Sequence, residues 1–156
     1  MYKRQDKYTV KDTFEFVDKL HAKNFSTDKH FVSYDVESLF TQIPVHETIK
    51  YICQLIPSSE LQITKKTLQN LLHLACKNIL FSFNGKLNEQ FDGMSMGPTM
   101  AAFTMHMAET KYTIEPLFYA RDVDDILAVF NHKHEAETFF KHINSIHKNI
   151  KIYSNA

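Results

Sequence analysis

The 156-residue sequence predicts an α+β domain with a mainly antiparallel sheet backed by helices. Three patterns lead there. From Leu117 to Phe130, two apolar runs flank a tight acidic turn of Asp122, Val123, Asp124 and Asp125, as in a β-hairpin. A second hairpin is marked by Asn84-Gly85, the dipeptide that best accepts the positive φ angles of a type I′ turn, between Leu80–Phe83 and Lys86–Glu89. Around them lie segments whose apolar residues recur at spacings of three and four, the period of helices with one buried face.

From the N-terminus, Met1 to Tyr8 is polar and basic. Val10, Phe14, Val17 and Leu20 then follow helical spacing with Asp12 or Thr13 as cap, predicting about three turns of helix. His30 to Tyr34 is rich in β-formers. The stretch FVSYDVESLFTQIP reads as a buried strand delivering Asp35 at its C-terminal end, then a short irregular turn closed by Pro44. A helix over Glu47 to Ile56 places Ile49, Ile52, Cys53 and Ile56 on one face and ends at Pro57-Ser58-Ser59. Thr64 caps the next, where Leu68, Leu71, Leu72, Ala75, Cys76 and Ile79 give the clearest helical signal in the chain.

The Asn84-Gly85 hairpin comes next, then a Gly- and Met-rich loop over Gln90 to Gly97. Pro98 suits the first turn of a helix running through Thr99 to about Thr113. Beyond the acidic hairpin, Ala136, Phe139, Phe140, Ile143 and Ile146 share one face of a helix over His134 to His147, and Ile150 and Ile152 begin a last strand. With no internal repeat, low-complexity segment or Pro/Gly/Ser linker, one domain is expected.

Composition narrows the function classes. Eighteen basic and eighteen acidic residues cancel, so the whole-chain charge gives no footprint for nucleic acid, although a local basic patch would be hidden in the sum. Cys53 and Cys76 both fall in apolar helical patterns, which suits buried free thiols in a reducing interior. No charged-then-apolar leader opens the chain and no apolar run approaches the roughly eighteen residues that span a bilayer. The expectation is a soluble intracellular protein, nuclear or cytoplasmic, with no membrane partner. The nine histidines show no zinc-like pairing with the cysteines, and the methionines from Met94 to Met107 suit a packing face.

The acidic turn carries the chemistry. Adjacent carboxylates repel, and the repulsion is relieved either by water, as in an ordinary surface turn, or by a divalent cation that prefers hard oxygen ligands. Asp35 weighs on that choice. If its strand neighbours the acidic hairpin in one sheet, three carboxylates surround one cleft, as two-metal phosphoryl and nucleotidyl transfer requires, with ions about 4 Å apart.

Taken in order, FVSYDVESLFTQIP, FNGKLNEQFDGMSMGPTMAAFTMHMAE, RDVDDILAVF and FFKHINSIHKNIKI resemble the palm of a reverse transcriptase, most closely that of Penelope-like retroelements. The resemblance covers practically the whole chain. It implies an RNA-directed DNA polymerase, with part of the fingers present and the thumb and endonuclease outside this sequence. Asp35 and Asp124 would bind two Mg²⁺ or Mn²⁺ ions, with the Val36 carbonyl facing a metal and Asp125 completing the catalytic set. Phe40 would lie under the incoming sugar and exclude a 2′-hydroxyl; read from sequence alone, as one of thirteen, it is a core Phe. Gln90 and Gly93 would line the nucleotide site and Gly97-Pro98 the template. RNA template, DNA primer and dNTPs are the implied partners.

Two departures stand out. Asp122 occupies the place of an aromatic, and a Ser expected between Gly97 and Pro98 is missing. They motivate an alternative, a catalytically dead palm kept as a nucleic-acid or protein interaction module. With no thumb to hold the primer and no complete fingers to hold the triphosphate, they also lead us to expect no primer extension by these 156 residues alone.

Overall fold

A computed structural model describes residues 7–76, 79–90, 93–94 and 98–155. The chain forms two compact units, one of residues 1–37 and 108–156 and the other of residues 38–107.

The first unit is built on a four-stranded sheet. Its strands are β1 (His30–Val36), β4 (Phe118–Asp122), β5 (Asp125–Phe130) and β6 (Ile152–Asn155), in spatial order β4-β5-β1-β6. Every pairing is antiparallel. Along β1 burial alternates, with Val32, Tyr34 and Val36 inside and Phe31 and Ser33 outside, because successive side chains point to opposite faces. The inside face packs on α6 (Lys133–Ser145), whose Ala136, Phe139 and Ile143 are buried. Phe139 sits against Tyr34, Tyr119 and Phe130 with ring centroids 5.4–6.1 Å apart. Burial of one such ring is worth about 2–3 kcal/mol. At the end of α6, the Asn144 side chain both accepts from and donates to the Ile152 backbone at 2.9 Å, closing part of the free edge of β6.

α1 (Thr13–His21) begins as expected, with the Asp12 carboxylate accepting from the Glu15 N–H at 2.8 Å. Its buried face differs from the expected one. Val10 lies before the helix and Phe14 is 84% exposed. Phe16 and Leu20, with Phe25, instead pack on a cluster of Val10, Phe118, Ala120 and Val129. The cause is the segment before α1, which runs beside β4: Val10 N–H donates to Arg121 C=O at 3.0 Å and Arg121 N–H to Tyr8 C=O at 2.9 Å. Val10 is thus consumed as strand-like edge, and the helix that follows docks a neighbouring stripe.

The second unit contains α2 (Leu39–Gln42), α3 (Val45–Leu55), a 3-10 turn at Ser58–Glu60, α4 (Lys65–Ala75) and the hairpin of β2 (Leu80–Phe83) and β3 (Lys86–Glu89). α5 (Pro98–Glu109) closes it and carries the chain back into the first unit, ending four residues before the expected Thr113. The turn after Asp35 is a single helical turn entered through Ser38 at φ 48°. Thr64 caps α4, as expected, accepting from Thr67 N–H at 3.1 Å. Thr48 and Thr104 share a buried hydroxyl hydrogen bond of 2.9 Å between α3 and α5. Asn84 and Gly85, at φ 50° and 71°, make the predicted type I′ turn. Cys53 is buried, Cys76 half-buried, and both thiols are free.

Candidate functional site

Asp35 is the penultimate residue of β1, and the antiparallel register sets it directly opposite Asp125 of β5. Asp125 in turn opposes Asp122 of β4. Directly opposed residues share a sheet face. Asp122, Asp125 and Asp35 therefore form one row across three adjacent strands, on the face turned away from α6, at steps of roughly 4.8 Å between strands. Asp124 follows in the two-residue turn, and its carbonyl accepts from the Val36 N–H at 3.3 Å. Tyr153, opposite Asp35 on β6, completes the row on the far side.

The row has an electrostatic cost. The Asp125 carboxyl is pushed above its usual range, first by burial and then by the charges of Asp124, Asp35 and Asp122. A groove of about 300 Å³ adjoins it, lined among others by Asp12, Thr13, Phe16, Ser33, Asp122 and Asp125. Among the described residues, no group of three or more His, Cys, Asp or Glu side chains is placed to hold a metal ion.

The turn itself is strained. Val123 has φ 55°, a left-handed conformation that a β-branched side chain disfavours by about 1–2 kcal/mol. Beneath it, on the sheet's buried face, Arg121 and Glu109 form an ion pair at 2.6 Å, both side chains 0% exposed. A second bond, Arg121 Nη2 to Glu109 Oε2 at 3.2 Å, makes the pairing bidentate. The same guanidinium donates to Thr9 Oγ1 at 3.0 Å and to the Val123 carbonyl at 3.3 Å. The Tyr119 hydroxyl donates to Glu109 Oε1 at 3.2 Å; burial holds the Tyr119 and Tyr112 phenols above their ordinary pKa, so both stay protonated at neutral pH. Sequence reading missed this network. The available signal was Arg121 inside an apolar strand, since a charge there needs a buried partner, but nothing local names Glu109.

The residues assigned by resemblance to nucleotide and template divide between the units. Asp35, Val36, Asp124 and Asp125 lie in the first. Phe40, Gln90, Gly93 and Pro98 lie in the second. Phe40 is half-buried in α2, and its carbonyl accepts from the Met94 N–H at 2.9 Å, tying it to the glycine loop. Gly93, at φ 72°, approaches Thr41 so closely that an added Cβ would stand 2.5 Å from the Thr41 carbonyl oxygen; only glycine fits. Gln90 N–H donates to Ile79 C=O at 2.8 Å. Pro98 starts α5, as predicted, and Gly97 lies outside the described residues. No helix among the described residues is long and apolar enough to cross a membrane.

No protein-family model matches the chain, and no curated protein matches it by sequence. Solved structures do. Apo telomerase from Candida Tropicalis aligns over 94% of this chain and 32% of its own, at 14% identity and TM-score 0.71. A form truncated from its C-terminal domain aligns over 95% of this chain and 36% of its own, at 15% identity and TM-score 0.69. The same telomerase in complex with a TWJ fragment of telomeric RNA aligns over 96% of this chain and 30% of its own, at 16% identity and TM-score 0.68. The chain thus spans about a third of the telomerase chains it matches and shares with that part of them an α+β fold on a mainly antiparallel sheet.

Proposed function

We propose that this chain is the palm of an RNA-directed DNA polymerase, of the kind carried by Penelope-like retroelements. The observation that carries the reading is the register aligning Asp35 with Asp125, beside the turn that holds Asp124. The fold shared with telomerase supports a polymerase-like relation, and the telomerase bound to RNA supports a nucleic-acid partner.

In this reading Asp35 and Asp124 hold the divalent ions with the Val36 carbonyl, and Asp125 adds negative charge beside them. When bound, such ions acidify the attacking hydroxyl and stabilise the leaving oxygen. The chain's own part is placement. The paired strands fix Asp35 relative to the turn, and the Val36 N–H to Asp124 carbonyl bond ties the two segments directly. Phe40 discriminates against a ribose 2′-hydroxyl, while Gln90, Gly93, Gly97 and Pro98 line the nucleotide and template. The substrates are dNTPs, a DNA primer and an RNA template.

The test is primer extension on an RNA template with Mg²⁺ or Mn²⁺, by this chain and by a longer protein that contains it. Asp124→Asn should lower extension by the longer protein at least about a thousandfold, as loss of several kcal/mol of metal-supplied stabilisation requires. Extension that survives Asp124→Asn would sink the reading. Asp122 favours a second reading, an inactive nucleic-acid-binding palm, because it adds a third carboxylate to the row and raises the Asp125 carboxyl further. Template binding without extension, indifferent to Asp124→Asn, would select it.

A further inference from the structure

The Arg121–Glu109 pair lies on the sheet face opposite the carboxylate row, yet it touches the turn. Arg121 is the last of four consecutive buried residues in β4, on the same sheet face as Tyr119, and its guanidinium has more acceptors than one carboxylate can supply. It donates twice to Glu109, once to Thr9 and once to the carbonyl of the residue with the disfavoured backbone angle, among other interactions. A disfavoured φ persists only where its surroundings over-determine it. Here the surroundings are a buried, rigid fork on one side and the Val36 N–H to Asp124 C=O bond on the other.

We propose that Arg121 is the positioning residue of the acidic turn: anchored by Glu109, it holds the Val123 carbonyl and so fixes the left-handed turn that aims Asp124. That Asp124 is aimed at a metal rests on the polymerase reading; that Arg121 sets the turn does not.

Arginine is required rather than any cation. The planar fork reaches two carboxylate oxygens, a hydroxyl and a carbonyl together, whereas a lysine ammonium is a single point with three donors on a shorter reach. Arg121→Lys therefore keeps the ion pair and releases the turn.

The experiment is amide hydrogen exchange on the 156-residue chain, comparing Val123–Asp125 with Ala128–Phe130 in the same strand as a report on global stability. In Arg121→Lys, exchange at Val123–Asp125 should quicken about tenfold, as expected for loss of one local hydrogen bond, with Ala128–Phe130 little changed. Adding Val123→Gly should restore part of the protection, because glycine adopts a positive φ without the steric penalty that Val123 carries. Should Arg121→Lys fail to fold, the double variant Glu109→Gln with Arg121→Met, which buries no charge, should still loosen Val123–Asp125 selectively. Uniform loosening of both segments, or no change at Val123–Asp125, overturns the proposal and leaves the pair as core packing. Mn²⁺ alone is the second probe, read by paramagnetic broadening near Asp124, and its affinity should fall about tenfold in Arg121→Lys. Absence of Mn²⁺ binding in the unmodified chain, with the exchange effect intact, would fault the polymerase reading and leave the positioning role standing.

Discussion

Among the described residues stand two β-hairpins with two-residue turns, and they are held by opposite means. Asn84 and Gly85 adopt positive φ at little cost, and both strands they join are exposed along nearly their whole length. That hairpin is specified by its turn residues. In the other, Val123 takes a conformation its side chain resists, while β4 and β5 are buried on at least one face along almost every residue. That hairpin is specified by its surroundings: the ion pair below, β1 beside it and the Tyr8–Val10 segment along its edge. The turn favoured by local chemistry carries no charge cluster, and the turn that local chemistry opposes carries the acidic row. Strain and repulsion are tolerated where tertiary contacts can offset them.

Removing the support should separate the two hairpins most sharply. Glu109→Ala leaves Arg121 buried without its partner and should cost about 3–5 kcal/mol in denaturant unfolding of the first unit. Phe83→Ala, at an exposed strand position of the other hairpin, should stay within about 0.5 kcal/mol. Equal losses would erase the contrast.

Exchanging the turn residues tests the same point at smaller scale. A Cβ added at Gly85 meets no atom within 4 Å, so the cost of Gly85→Ala is the backbone angle alone, about 1–2 kcal/mol, visible as faster amide exchange over Lys86–Glu89. Val123→Gly removes that same cost and adds the chain entropy of glycine, for a net gain of up to about 1 kcal/mol. A clear loss of stability in Val123→Gly would mean that side-chain packing, not backbone strain, dominates there.

The carboxylate row should show as a smaller effect. Asp125→Asn removes a charge repelled by three neighbours and should raise Tm by about 1–2 °C at neutral pH, allowing for solvent screening. Added Mg²⁺ should narrow the difference if the row binds it. A lowered Tm without cation would contradict the repulsion argument.

The smallest expected effect lies away from both hairpins. The Lys11 backbone N–H beside Glu15, helped by Lys19, holds the Glu15 carboxyl below its ordinary value of 4.5. A depressed folded pKa means that the contribution is fully present above that ordinary value and is lost as pH falls through the folded pKa. Tm of the wild type should exceed that of Glu15→Gln slightly at pH 7, and the two should converge as pH falls through the depressed Glu15 pKa. A gap that persists in acid would assign the contribution to packing.

Much of the fold was legible because it rests on local chemistry. Thr64 and Asp12 as caps, Asn84-Gly85 as a type I′ turn, Pro98 as a helix start and the alternation through β1 each follow from one residue's preferences or from a short period. Asp35 near a strand end and the acidic hairpin were legible for the same reason. Misreadings arose where two elements competed for one residue. Val10 fits the helical period of α1 but is taken by pairing to β4, which moves the docking stripe to Phe16 and Leu20. Leu71 repeats with Leu68 at helical spacing in α4 and remains exposed, since periodicity marks an apolar face without saying what covers it.

The sequence by itself therefore determined which segments are helix or strand, where the tight turns fall, and that several carboxylates cluster at one turn. Tertiary structure alone decided that β1 lies between β5 and β6, in the register that aligns Asp35 with Asp125, and that Arg121 meets Glu109 beneath the turn. The reason is physical: caps, periods and turns depend on neighbours a few residues away, whereas strand order and buried charge pairing depend on partners far along the chain. A buried Arg announces that it needs an acid. Only the packed sheet selects which one.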